Sequence, residues 1–203
     1  MATIGYGDMH PATLYANILV TIEVLLGLMG FALATGVIFA RVSRPTARVM
    51  FSKVAVITNY DGRPTLMFRA ANQRTNRILQ AQASLSLARN EVTAEGHAMR
   101  RFHELRVERA TTPLFSLSWT VMHVIDEETS PLHGATPALL AEREAELIAT
   151  IVGLDETLAQ PIHARHSYRA HEILFGRRFA DILTRGEDGV QTVDYRRFHD
   201  TLA

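Results

Sequence analysis

Leu14 to Ala40 reads LYANILVTIEVLLGLMGFALATGVIFA, an apolar run broken by one formal charge, Glu23. At about 1.5 Å of rise per residue, a helix of this length outspans a hydrocarbon core of roughly 30 Å. A secretory signal needs a basic leading region and an apolar core of only about 7–15 residues, and this stretch has neither. A helix buried in a water-soluble core seldom stays apolar around its whole circumference. The run therefore reads as a membrane span, and its flanks orient it. Asp8 and His10 precede it, whereas Arg41, Arg44, Arg48 and Lys53 follow it. Positive residues stay on the cytoplasmic side, so everything after the helix is expected in the cytoplasm. Overall the 203-residue chain is balanced, with 21 basic and 21 acidic residues and no cysteine. The balance leaves no electrostatic footprint for nucleic acid. The lack of thiols excludes disulfides and thiolate metal sites.

Within the span, Gly27, Gly30 and Gly36 weaken the helix locally. They serve close helix packing, the usual use of glycine in membranes, or a bending point, and the sequence leaves both open. Glu23 is informative because an ionisable group at membrane depth is costly and normally faces protein or water. It points to an oligomeric bundle with an aqueous path.

Just before the span stands Thr3-Ile4-Gly5-Tyr6-Gly7-Asp8. Paired glycines allow backbone angles that turn successive carbonyls to one side, and the threonine hydroxyl adds a further oxygen. The stretch resembles the TVGYG selectivity filter of potassium channels, in which rings of carbonyls replace the hydration shell of the ion. The likeness continues through TIGYGDMHP at 3–11, FARVSRP at 39–45, DGRPTLMFRAANQR at 61–74, WTVMHVIDEETSPL at 119–132, HSYRAHEILFG at 166–176 and VDYRRFHDT at 193–201. On these blocks the chain resembles the inward-rectifier potassium channel family, in its prokaryotic branch.

The resemblance implies roles residue by residue. Thr3, Ile4, Gly5, Tyr6 and Gly7 line the filter, which four identical subunits close. Phe39 matches the bulky gate residue at the cytoplasmic end of the inner helix, where an apolar ring blocks ions by dewetting. Phe31 matches the position where strong rectifiers carry an acid that attracts polyamines and magnesium; an uncharged residue there implies weak rectification. Glu23 and Gly36 complete the expected pore and gate set. Arg41, Arg44 and Arg48 match a basic cluster that meets anionic phospholipids, each cation contributing on the order of 1 kcal/mol near such a leaflet. Gly153, Asp155 and Glu156 match the loop that narrows the cytoplasmic pore. There the two carboxylates are expected to form rings of negative charge, or else to sit on an ordinary solvated turn.

Beyond a basic linker at 41–53 the pattern becomes strand-like. Leu79 to Leu87 (LQAQASLSL) alternates apolar and polar residues with the period of a half-buried strand. Asp61-Gly62 reads as a turn between two strands. Leu147 to Val152 (LIATIV) reads as a strand buried on both faces. Thr136 and Pro137 open one short helix. Short strands with turn signals predict a β-sandwich, and the resemblance makes it immunoglobulin-like. The expected organisation is membrane α plus all-β: filter and outer mouth at 1–11, pore-lining helix at 12–40, linker at 41–53 and cytoplasmic sandwich at 54–203.

His163, His166 and His171 fall close together, but without the helical pairing of a zinc site they read as surface or interface residues. No nucleotide-binding glycine loop or nucleophile elbow occurs, so no enzyme activity and no cofactor is expected, with K+ as transported ion. The expected setting is a bacterial inner membrane. The family pattern also includes an interfacial helix, an outer helix and a pore helix ahead of the filter. The chain as written opens at Met1-Ala2-Thr3, so three readings stay open: the later portion of a channel subunit, a single-span protein whose sandwich serves only oligomerisation or subunit interaction, or a soluble enzyme or binding domain in which the apolar run is no span.

Overall fold

The structure, a computed structural model, describes residues 7, 11–42, 48–185, 189 and 191–203. It divides into two compact units, Met1–Arg44 and Pro45–Ala203. The first is built on α1 (Leu14–Val42). Thr13 starts it, its hydroxyl accepting the Ala16 amide at 3.2 Å. Leu25, Leu26, Phe31, Leu33 and Ile38 of α1 are all more than half exposed. Each such side chain left in water forgoes about 1.5–3 kcal/mol of burial, so the helix needs an apolar surrounding, and its length and composition suit a membrane.

The second unit contains β1 (Val49–Phe51), β2 (Ala55–Tyr60), β3 (Arg63–Asn72), β4 (Ile78–Val92), β5 (Ala98–Leu105), β6 (Thr111–Phe115), β7 (Ser118–Val124), the short helix α2 (Pro137–Glu142), β8 (Glu146–Asp155), β9 (Pro161–Arg169), β10 (Ile173–Phe175), β11 (Arg178–Phe179), β12 (Leu183–Arg185), β13 (Gln191–Val193) and β14 (Thr201–Leu202). One sheet runs β1-β3-β2-β10 with β7 on β3; the other runs β5-β4-β8-β9 with β6 on β4. Leu66, Phe68, Trp119 and Val121 from the first sheet meet Leu85, Leu87, Leu147, Ile151 and Tyr168 from the second in one core. This is a two-layer β-sandwich.

Several elements follow directly from local chemistry. Asp61 and Gly62 both have positive φ, 50° and 75°, and join Tyr60 to Arg63, the two-residue turn that matches strand twist. Thr136 caps α2 by accepting the Leu139 amide at 3.2 Å. The β3 strand is buried on both faces because Ala71 on its far side packs against Ile182 and Phe198 from the C-terminal segment.

Two expectations need correction. Leu147–Val152 is not buried on both faces: Leu147, Ala149 and Ile151 are buried while Ile148, Thr150 and Val152 are half-buried, since among the described residues no further layer covers the outer side of this sheet. The alternation assigned from Leu79 also fails at its start. Leu79 is half-buried and Ile78 takes the core position. The cause is an irregularity between Leu79↔Leu154 and Gln82↔Val152. Gln80 and Ala81 oppose Gly153 alone, with Gln80 at φ 48°, so one extra residue inverts the facing.

Gly153 is required at this bulge. A Cβ there would meet Ile78 Cγ2 at 2.5 Å and the Leu79 carbonyl oxygen at 3.1 Å. Gly153→Ala is therefore expected to cost about 1–3 kcal/mol, read as a lowered midpoint in denaturant unfolding, whereas Gly96→Ala, with nothing within 4 Å but φ +87°, loses only through backbone strain.

His123 is fully enclosed beneath the 126–133 segment, at 1% exposure. Its Nδ1 lies 2.7 Å from the Arg106 carbonyl and its Nε2 2.8 Å from the Ser130 hydroxyl. A neutral ring satisfies both by donating from Nδ1 and accepting at Nε2. Burial holds this imidazole below its ordinary value, outweighing the Arg106 carbonyl, and burial likewise lowers His166 and His199. With folded values depressed, the unfolded chain binds protons first. Stability is then full above about pH 6.5 and declines as pH falls below it. Unfolding midpoints are expected to be level between pH 8 and 7 and to drop toward pH 5; His123→Gln shows a smaller drop.

Candidate functional site

The expected site residues fall in four places along the chain: the stretch before α1, α1 itself, the segment that follows it, and the end of β8. Thr3, Ile4, Gly5 and Tyr6 lie outside the described residues. Gly7 is described, exposed, with φ +55°, a left-handed conformation open to glycine.

Glu23, Phe31, Gly36 and Phe39 all lie on α1, but helical geometry does not gather them. At about 100° per residue, Phe31 and Phe39 stand roughly 80° apart with Thr35 midway, forming one stripe in i, i+4 steps. Glu23 falls roughly 160° from Phe39, on the side carrying Gly27, Gly30 and Ala34. An aqueous path along the Phe31–Phe39 stripe therefore meets Thr35, which sequence reading passed over, before it meets Glu23. Phe31 and Phe39 are 74% and 71% exposed.

Of the basic cluster, Arg41 sits exposed in the last turn of α1, where a cation complements the helix dipole. Arg44 lies outside the described residues. Arg48 is exposed, and its carbonyl accepts the Gln73 amide at 2.9 Å.

Gly153, Asp155 and Glu156 share one strand end. The stretch expected to begin a joining loop at Gly153 is strand as far as Asp155, so the connection to β9 is only 156–160. The Asp155 carboxylate is buried, at 3% exposure. Its Oδ1 accepts the amides of Thr157 and Leu158 at 2.9 and 3.0 Å. Its Oδ2 accepts from Asn76 Nδ2 at 2.9 Å and Arg74 Nη1 at 3.3 Å. Burial alone would push this carboxyl up, but the Leu158 amide, Asn76, the Thr157 amide and Arg74 together hold it below the usual range. It is thus ionised yet compensated on the spot. Glu156 is more open, pairing with Arg77 at 4.0 Å, a contact worth about 0–1 kcal/mol at such exposure. Arg74 and Asn76 went unassigned in the sequence because nothing local links them to a strand some eighty residues on.

The histidines do not converge. His163 and His166 lie three apart on β9 and so face opposite sides, His166 stacked on Phe51 with centroids 5.5 Å apart. His171 belongs to the turn after β9.

A family model described as the inward rectifier potassium channel C-terminal domain matches residues 49–203, and one described as an ion channel matches residues 1–44. The chain is 46% identical over 200 residues to the inward rectifier potassium channel Kirbac3.1 of Paramagnetospirillum magnetotacticum, covering 98% of this chain and 68% of that protein. It is 35% identical over 213 residues to the G protein-activated inward rectifier potassium channel 1 of Bos taurus, covering 99% of this chain and 42% of the relative. Against the G protein-activated inward rectifier potassium channel 3 of Mus musculus the identity is 34%, over 98% of this chain and 53% of the relative. The chain thus spans about half or less of those two longer relatives. An ion-channel segment running into this C-terminal domain, with close identity along nearly the whole chain, makes the protein a member of the inward rectifier potassium channel family, which is a family of channels and not of enzymes.

Proposed function

We propose that this chain forms the filter, inner helix and cytoplasmic domain of a potassium-selective channel subunit working as a homotetramer. The observation that carries the reading is the order of matches within one chain: ion channel over 1–44, then inward rectifier C-terminal domain over 49–203. Passive K+ movement requires no cofactor, and K+ itself is the transported ion.

In this reading Thr3, Ile4, Gly5, Tyr6 and Gly7 supply the carbonyl and hydroxyl rings that replace ion hydration. The Phe31–Thr35–Phe39 stripe faces the conduction path, and four Phe39 rings close it by excluding water. Phe31 carries no charge to concentrate polyamine or Mg2+ in the path, so rectification is weak. Arg41, Arg44 and Arg48 face the anionic phospholipids of the inner leaflet, which in turn sets the sandwich on the cytoplasmic side of a bacterial inner membrane. The β8–β9 turn, with Glu156 and Leu158 exposed on it, narrows the cytoplasmic end of the path.

The subunit carrying this chain, reconstituted in liposomes, is expected to take up K+ and Rb+, to be blocked by Ba2+ and to exclude Na+. Equal Na+ and K+ uptake would sink the filter assignment. Phe31→Asp is expected to strengthen voltage-dependent block by internal polyamine at least severalfold, since four carboxylates then attract the cation. A current–voltage curve unchanged from the parent would remove Phe31 from the path.

A further inference from the structure

The buried carboxylate of Asp155 joins two parts of the chain that the sequence keeps far apart. Through Oδ1 it shapes its own turn, accepting the Thr157 and Leu158 amides at 2.9 and 3.0 Å. The Ala159 amide completes that turn on the Asp155 carbonyl at 2.8 Å. Through Oδ2 it accepts Asn76 and Arg74 from the 73–77 connection between β3 and β4. That connection is itself internally bonded: the Asn72 side-chain amide donates to the Asn76 carbonyl at 2.6 Å, and the Arg74 amide to Asn72 Oδ1 at 3.0 Å. Next to this carboxylate, the Glu156 amide donates to the Arg77 carbonyl at 3.1 Å, and the Arg77 amide to Glu156 Oε2 at 3.2 Å. On the other flank, Gly153 lies against the bulge at Gln80 and Ala81.

We propose that Asp155 is a positioning residue, a clasp through which Arg74 and Asn76 fix the β8–β9 turn and so set the width of the passage that Glu156 and Leu158 line. The inference rests on reading that turn as the narrowing of the ion path. Asp155 contributes position and not charge, because its carboxylate is compensated by Arg74 and enclosed, whereas Glu156 and the exposed Leu158 stand at the tip it holds. A connection bonded to itself on one side and to the turn on the other moves the turn when it moves. Asp155, Asn76 and Arg74 act as one unit beside the Glu156–Arg77 pair, so loss of any one loosens the link and exposes that pair to opening.

The test compares Asp155→Asn, Arg74→Gln and the double variant in the reconstituted subunit. Amide hydrogen exchange at Arg77 and Glu156 and Rb+ uptake are read on the same preparations. Asparagine keeps an acceptor oxygen for the Thr157 and Leu158 amides, so the turn folds while Arg74 loses its counter-charge. Exchange at the two amides is expected to rise about tenfold in each single variant and no further in the double variant. Rb+ uptake is expected to change severalfold in the same non-additive pattern, with the unfolding midpoint nearly constant in Arg74→Gln and modestly lowered in Asp155→Asn, whose buried amide faces the Asn76 donor. Unchanged exchange, or effects that add in the double variant, overturns the clasp. Faster exchange with Rb+ uptake equal to the parent overturns the positioning role. If the parent passes no Rb+ at all, the channel reading falls and the aperture role with it, while the exchange pattern still decides whether the clasp exists.

Discussion

Strand β4 pairs with β8 along one edge and with β6 and β5 in succession along the other, so the second sheet is organised around one strand and one bulge in it. The inward residues Ala81, Ala83, Leu85 and Leu87 feed the core. Because side-chain facing has a period of two, a single extra residue inverts everything beyond it. The pair Gln80–Ala81 against Gly153 is that extra residue. It brings Ile78 inward, turns Leu79 partly outward, and leaves room opposite for a glycine alone. It also delivers the end of β8 beside the 73–77 connection, where the Asp155 carboxylate finds its partners.

Charge in the sandwich is largely compensated close to where it arises. Asp155 is met by Arg74 and Asn76. Glu91 gathers Arg89 at 2.6 Å, His103 at 2.8 Å and Arg101 at 3.6 Å, and the Arg89 hydrogen bond leads in holding its carboxyl below the ordinary range. The outward side of the same sheet carries uncharged Gln82, Ser84 and Ser86 from β4 and Thr150 from β8, with Glu104 of β5 opposite Ser86 and Arg165 of β9 opposite Thr150.

The membrane helix poses a different constraint. Its apolar residues surround the axis, so hydropathy says that it spans but not which side faces water. Rotation along the helix says which residues share a side. A path that includes Phe39 includes Thr35 and Phe31 and leaves Glu23 on the far side with Gly27, Gly30 and Ala34. An acid there needs a protein or water partner, and small residues beside it allow a neighbour to come close.

Much was legible in the linear chain. The apolar span, the Asp61-Gly62 turn, the Thr136 cap and the alternation in β4 beyond its bulge are local signals, each written in adjacent residues whose chemistry favours one backbone conformation. Family membership was legible for the same reason, as blocks of adjacent residues. What only the tertiary structure decided is non-local. Asp155 looked like an exposed pore charge beside Glu156 and is instead buried and paired. Gly153 looked like part of a loop and is a strand residue against a bulge. His123 drew no notice and proves fully enclosed between a carbonyl and a hydroxyl. In each case the deciding partner, Arg74, Ile78 or Arg106, lies on a distant strand or connection, and no short sequence window contains the contact that fixes the residue's burial and charge.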